Sequence, residues 1–328
     1  MARGSGEGKA IRLAVRSEAP LVVVAGPTAS GKSALALELA LLFGGEIVNC
    51  DSLQLYRGLD LGTAKTPVDE RRGVPHHLFD ILEPQELTTA GDYAVRARRV
   101  LLEIAHRGAL PVVAGGTGFY LQALLDGLAE GPKRDEALRA RLLRMESRKA
   151  GRVHRLLKRL DPVTAGRIHP RDANKAIRAV EICLLSRRPA TELFQQGRQP
   201  LEGFRSLKVV LDPGREALHV RIAERTRRMF SAGLVGEVRA LLAKGLPAGA
   251  KAFESIGYHE AIEVLAGRMS EEQAVEATII ATRQYAKRQL TWFRRERAAT
   301  WIQGFGDDPK CLQDVTDITG EFLTNLQP

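Results

Sequence analysis

Residues 26 to 33 read Gly-Pro-Thr-Ala-Ser-Gly-Lys-Ser, a complete match to the pattern G-x-x-x-x-G-K-[ST]. No other stretch narrows the fold as far. Residues 21–25 before it form an apolar, β-branched run of strand length, and residues 34–40 after it are rich in helix formers. A strand, a glycine-rich turn and a helix N-terminus gather backbone N–H groups at the positive end of a helix dipole, and this makes an anion site. Gly26, Pro27, Thr28, Ala29, Ser30, Gly31, Lys32 and Ser33 are therefore expected to hold phosphate. Lys32 would reach the phosphate oxygens and the Ser33 hydroxyl would ligate Mg2+. The motif does not say what the phosphate belongs to.

The 328 residues suffice for about two domains. No apolar run approaches the roughly 20 residues needed to span a bilayer, so no membrane partner is expected. Residues 1–19 lack the apolar core of a secretion signal and read as a flexible leader. Cys50, Cys183 and Cys311 are far apart, odd in number and form no C-x-x-C, which points away from disulfides and zinc and toward a reducing cytoplasm. The formal net charge is +10, yet residues 133–199 alone carry 18 Lys and Arg against 7 acids, a net +11. The excess is thus confined to one stretch. Such segregation suits a polyanion partner, and a merely solvated basic helix surface would look the same.

Residues 46–50 read as a second strand ending at Asp51-Ser52. Ligands of open α/β sheets bind outside the carboxyl ends of strands, which brings Asp51 and Gln54 near the phosphate. There Asp51 can serve as a base or cap the next turn. His76 and His77 are adjacent and would point to opposite sides of a strand, so structural roles are expected rather than a shared metal. Residues 88–107 have helical periodicity, and residues 110–114 form a third buried strand followed by Gly115-Gly116-Thr117-Gly118. A P-loop ATPase usually carries an acid at such a strand end to hold magnesium; none is present, which counts against plain ATP hydrolysis.

From 132 to 200 strand signals stop, and Arg-rich helical stretches are broken at Asp161-Pro162 and His169-Pro170. Residues 207–212 resume the sheet. The expected fold is α/β: a P-loop NTPase-like core with a central parallel sheet at 20–131 and 201–300, with C-terminal helices. An all-helical basic insertion occupies 132–200, and 303–328 reads as a flexible tail. One helix is expected over 219–243, carrying Arg221, Arg225, Arg227 and Arg228, and another over 270–297, opened by a Ser-Glu-Glu-Gln capping signature. Lys287, Arg288, Trp292, Arg294, Arg295 and Arg297 interleave basic and aromatic residues near its end, which suits nucleic-acid contact, although Trp292 fits a core equally well.

Several stretches together resemble the tRNA dimethylallyltransferases (tRNA isopentenyltransferases). They are the 26–33 motif, Asp51-Ser52-x-Gln54-x-Tyr56, Asp60-Leu61-Gly62-Thr63-Ala64-Lys65, His76-His77-Leu78 and Gly115-Gly116-Thr117-Gly118-x-Tyr120. Downstream come His169-Pro170-x-Asp172, Arg178-Ala179-x-Glu181, Ile256-Gly257-Tyr258 and the run from Ala281 to Trp292. Thr66 departs from the family's usual proline, which here follows at Pro67.

The resemblance implies transfer of a dimethylallyl group from dimethylallyl diphosphate to N6 of the adenosine 3′-adjacent to the anticodon in tRNA. The P-loop would then grip an allylic diphosphate rather than ATP. The implied catalytic residues are Asp51 as base, Thr117, and Arg225, or else Arg221, on the departing diphosphate. Contacts to the tRNA anticodon stem-loop would come from Asp51, Ser52, Leu53, Gln54, Thr117, Arg139, Asn174, Lys175, Arg178, Gly257, Tyr258, Lys287, Arg288, Gln289, Trp292 and Arg294. A monomer is expected. The competing readings are a small-molecule P-loop kinase and a nucleic-acid-binding ATPase, both of which would turn over ATP.

Overall fold

The computed structural model describes residues 18–129, 131–195, 197–296 and 298–326. Its elements, in chain order, begin with β1 (Ala19–Ala25), α1 (Lys32–Leu42), β2 (Gly45–Asn49), β3 (His76–His77), α2 (Ala90–His106), β4 (Leu110–Gly115) and α3 (Gly118–Leu125). Then come α4 (Glu136–Arg148), α5 (Arg152–Leu160), α6 (Pro162–Arg167), α7 (Ala173–Ser186) and α8 (Ala190–Gln195). The chain closes with β5 (Phe204–Asp212), α9 (Arg215–Ser231), α10 (Leu234–Ala243), α11 (Tyr258–Leu265), α12 (Glu271–Phe293), β6 (Ala299–Gln303) and α13 (Pro309–Thr324).

The six strands form one sheet in the order β3-β2-β4-β1-β5-β6, every neighbouring pair parallel. This is the α/β architecture expected from the alternation of apolar runs and helical stretches. Parallel strands buried on both faces read as continuous apolar segments, and Leu21, Val22, Val23 and Val24 are all buried. The chain leaves β1 toward β2 and β4 on one side and returns to β5 and β6 on the other. The order of the sheet therefore switches at β1, and the P-loop sits at that strand's carboxyl end, where such sheets bind ligands.

Two compact units emerge, residues 1–121 with 202–328, and residues 122–201. The helical unit begins within α3 rather than at 132. In it, Leu142, Val153, Leu157, Ile177 and Val180 form a core shared by α4, α5 and α7. Asp161 caps α6, with Pro162 at the first helical position, and also accepts from Thr191 N–H at 2.7 Å, tying α6 to α8.

Three expectations need correcting. Residues 303–328 are not a loose tail: α13 buries Cys311 and Val315 against Leu35, Leu39 and Ile302 of the sheet unit. Asp308-Pro309 is an ordinary helix start, and Cys311, Val315 and Thr319 recur at helical spacing, but threonines and acids dilute the apolar face. The expected helix over 219–243 is two helices, because Gly233 adopts φ +100°, outside the right-handed helical region. The long C-terminal helix stops at Phe293, short of 297. Of the leader expected at 1–19, residues 1–17 lie outside the described residues, as does Arg297, while Ala19 already belongs to β1 rather than to a flexible leader. Among the described residues, no helix is long and apolar enough to cross a membrane.

Candidate phosphate and acceptor site

The P-loop turns through Gly26 (φ +146°), Ala29 (φ +64°) and Gly31 (φ +84°) before α1 begins at Lys32. Gly31 also meets a steric demand, since a Cβ there would lie 2.6 Å from Asp307 Oδ1 and 2.7 Å from Gly306 N. Lys32 folds back to donate to Pro27 O at 2.6 Å. Burial lowers its pKa to about 8, with the nearby Asp51 carboxylate acting in the opposite direction. Ser33 is exposed on the first turn of α1.

A cavity of about 220 Å³ opens here, lined by Thr28, Lys32, Ser33, Asp51, Arg221 and Arg225 among others. Arg225 donates to Thr28 Oγ1 at 2.5 Å. The residue is half-buried, and its Nε is buried with no partner among the described residues. Burial pushes its pKa down to about 10. A cation with a buried, open donor costs stability unless an anion arrives, so the group is built for a ligand. Arg221 stands in the same wall, stacked over the Phe305 ring at 4.4 Å and paired with Asp307. Of the two candidate arginines, Arg225 is thus the one left open, while Arg221 is already neutralised.

Asp51 takes the capping role weighed for it and also lines the cavity. Its Oδ1 accepts from Leu53 N–H at 2.9 Å, capping the turn after β2, and the same carboxylate lines the cavity. Asn49 holds the turn from below, accepting from Asp51 N–H at 2.8 Å and donating to Asp51 O at 3.0 Å. Thr117 Oγ1 accepts from Ser52 N–H at 3.1 Å, fastening the loop after β4 to the loop after β2. Gln54 lines the cavity and donates to Thr63 O at 3.1 Å. Among the described residues no cluster of three or more His, Cys, Asp or Glu is placed to hold a metal. The Ser33 hydroxyl facing the cavity, supplemented by phosphate oxygens, is a donor set that suits Mg2+.

The remaining expected contact residues divide. Asn174, Lys175, Lys287, Arg288 and Arg294 are exposed, Lys175 being paired with Asp172 at 2.7 Å and Arg288 lying 5.7 Å from the Tyr285 ring centre. Leu53 and Trp292 are half-buried, and Trp292 packs edge-on to Phe119 and directly over Gly118. Gln289 is buried and bonds to backbone. Gly257 and Tyr258 are corrected: Tyr258 is 0% exposed, donates to Glu237 at 2.6 Å and fills the space under Gly62, so it cannot meet a macromolecule in this state. Gly257 (φ +88°) starts α11 and takes up the backbone strain of that turn. In the helical unit, Arg178 and Arg139 converge on the fully buried Glu181 at 2.8 and 3.7 Å, so part of their task is to neutralise it.

Sequence reasoning missed the loop of residues 304–308. Gly306 N–H donates to Ser30 O at 2.9 Å, laying this loop directly on the P-loop. No motif marks it. It also missed Lys65, a buried cation bonded to Asp60 and Asp80 at 2.6 Å each and to Tyr56 O, which holds the loop carrying Thr63 and Ala64 against the cavity. The Asp60–Lys65 motif contained the clue, since a lysine five residues from an aspartate can close a short loop.

The all-parallel sheet with its glycine-rich turn at the switch point defines an α/β protein of P-loop-like fold. The chain belongs to the IPP transferase family, whose model matches residues 54–296. It is 55% identical over 304 residues to a tRNA dimethylallyltransferase of Solibacter usitatus, covering 93% of this chain and 99% of that protein. A namesake from Koribacter versatilis is also 55% identical, over 92% of this chain and 98% of its own length. Among solved structures, the tRNA isopentenylpyrophosphate transferase of Bacillus halodurans aligns with TM-score 0.70 and 34% identity over 94% of this chain and 98% of its own. A eukaryotic dimethylallyltransferase solved acting on tRNA aligns with TM-score 0.81 and 27% identity over 94% of this chain and 80% of its own.

Proposed function

We propose that this chain is a tRNA dimethylallyltransferase. It moves the dimethylallyl group of dimethylallyl diphosphate onto N6 of the adenosine 3′-adjacent to the anticodon and releases diphosphate. One observation carries this reading: a single cavity holds a P-loop, a guanidinium with an open Nε and the Asp51 carboxylate, in a chain matched over 93% of its length by a relative named for that activity.

The adenine N6 amine is a weak nucleophile, because its lone pair is delocalised into the ring. As N6 attacks C1 of the allyl group, the N6–C1 bond forms and the C1–O bond breaks. The electron pair leaves on diphosphate, and Asp51 accepts the N6 proton. Lys32, Arg225 and the P-loop N–H groups stabilise the charge that grows on the leaving group. When bound, Mg2+ supplies further positive charge to that diphosphate, and Ser33 would hold it. The target base must leave its stack to enter such a cavity. We assign the anticodon stem-loop to the basic surface of the helical unit, and take the working protein as a cytoplasmic monomer.

The test is incubation with labelled dimethylallyl diphosphate, Mg2+ and unmodified tRNA. Label is expected on adenosine after nuclease digestion, and lost when that adenosine is replaced by guanosine. ATP consumption without labelled tRNA would point instead to a kinase or ATPase. The variant D51N should lower transfer by about 100-fold or more while tRNA is still bound, since a positioned base contributes that much. Undiminished transfer by D51N would remove Asp51 as the base.

A further inference from the structure

Three strand-end loops meet at the site, and α12 touches two of them. Tyr285, Gln289 and Trp292 stand four and three residues apart, hence on one face of that helix. They meet consecutive residues after β4: Tyr285 lies beside the Thr117 side chain, Gln289 Nε2 donates to Gly116 O at 2.9 Å, and Trp292 covers Gly118. Only Gln289 reaches further. Its Oε1 accepts from Thr28 N–H of the P-loop at 2.8 Å. The orientation of the amide is dictated by its partners, since one neighbour is a donor and the other an acceptor. The side chain is 5% exposed and both ends of its amide are engaged within the protein.

The connections run on from each end. Thr28 Oγ1 receives the Arg225 guanidinium, so the amide that fixes Thr28 also fixes the cation of the diphosphate cradle. Gly116 adjoins Thr117, which holds Ser52 beside Asp51. Gly116 leaves no room for a side chain, as a Cβ would come 2.2 Å from Gln289 Nε2. One buried amide therefore spans the gap between the diphosphate half of the site and the base half.

We propose that Gln289 is a positioning residue: it sets the separation between the diphosphate cradle and the Asp51 loop, so that donor carbon and acceptor nitrogen meet in line. The inference rests on the transferase reading. It replaces the direct tRNA contact that the resemblance implied for Gln289. A positioning residue acts on turnover more than on binding, because each half of the site still holds its own ligand while their relative placement is lost. Misplacement by about 1 Å can cost about 100-fold in rate.

The experiment compares wild type with Q289M, which keeps the length and loses both bonds, and with Q289N, which keeps the amide but is too short to span the two loops. Steady-state transfer would be measured at saturating dimethylallyl diphosphate, Mg2+ and tRNA, with the Kd of inorganic pyrophosphate measured by calorimetry. We expect kcat to fall about 10- to 100-fold in both variants, while both KM values and the pyrophosphate Kd stay within about threefold. Should Q289M fail to fold, G116A tests the same idea by pushing the amide aside without deleting it, and the same kcat loss is expected. An unchanged kcat in variants of a transfer-active wild type overturns the positioning role and leaves the transferase reading standing. A raised KM for tRNA at unchanged kcat also overturns it, making Gln289 a tRNA contact. Absence of transfer by the wild type itself removes the transferase reading and this inference with it.

Discussion

At the residue scale the site is held ready at a cost that ligand binding removes. Arg225 is half-buried with a buried, open Nε, and desolvation lowers the Lys32 pKa to about 8. Arg225→Met should therefore raise the melting temperature of the ligand-free protein by about 2–4 °C, the shift expected for roughly 1 kcal/mol in a chain this large. The same change should abolish the extra stabilisation by pyrophosphate seen with wild type. A melting scan with and without pyrophosphate checks both, and a lower melting temperature without ligand would show that Arg225 is already satisfied. Lys32 predicts a pH dependence of definite sign. The free protein loses this cation as pH rises through about 8, so kcat/KM for dimethylallyl diphosphate should fall along a limb near that pH. Stability should move the other way. The folded-state pKa lies below the ordinary 10.5, so between about 8 and 10.5 the unfolded chain binds more protons and the fold gains as pH rises. The gain should be absent in K32M, and denaturant titrations of both proteins across that window measure the difference.

At the scale of elements, legibility followed how locally each signal is written. The buried strands β1, β2 and β4 were readable because a strand covered on both faces must be apolar throughout, as Val22, Val24, Ile47 and Val112 are. The edge strands β3 and β6 were not, since two histidines or Ala-Thr-Trp-Ile-Gln carry no such run. The P-loop is contiguous and was legible in full. Arg225 could be paired with its site only by analogy, because helix spacing alone allows Arg221 equally. The tie of Arg139 and Arg178 to Glu181 was hidden by the excess of basic residues around it, although the Arg178–Glu181 spacing of one helical turn was a usable hint. The misread element was α13. It buries Cys311 and Val315 beside Leu35 and Leu39 of the P-loop helix, and the loop before it lies on Ser30. A chain ending at Gln303 should therefore lose cooperative unfolding and pyrophosphate binding together. If that truncated protein bound pyrophosphate with unchanged affinity, the support given by α13 to the P-loop would be refuted.

At the scale of the whole molecule, charge is divided as the proposed reaction requires. The stretch 133–199 carries a net +11 against +10 for the entire chain, so the rest is close to neutral and the cations lining the phosphate cavity are a small set. A tRNA gripped largely through phosphates should dissociate steeply with salt, each released contact contributing about 0.7–0.9 to the slope of log K against log salt. The structure separates two classes of arginine that the sequence merged. Exposed Arg171 and Lys175, changed together to Gln, should weaken tRNA binding and flatten the slope by about 1–2 with no change in melting temperature. Arg178→Gln should weaken tRNA binding and also destabilise the helical unit, because it strips the nearer of two arginines from the fully buried Glu181. Paired changes at Arg178 and Glu181 distinguish the two effects: with Glu181 also made Gln, the stability loss should shrink while the loss of tRNA affinity remains. Filter binding at several salt concentrations, set beside melting curves, measures both, and a salt slope that stays the same in the Arg171, Lys175 double variant would move the tRNA to another face of the molecule.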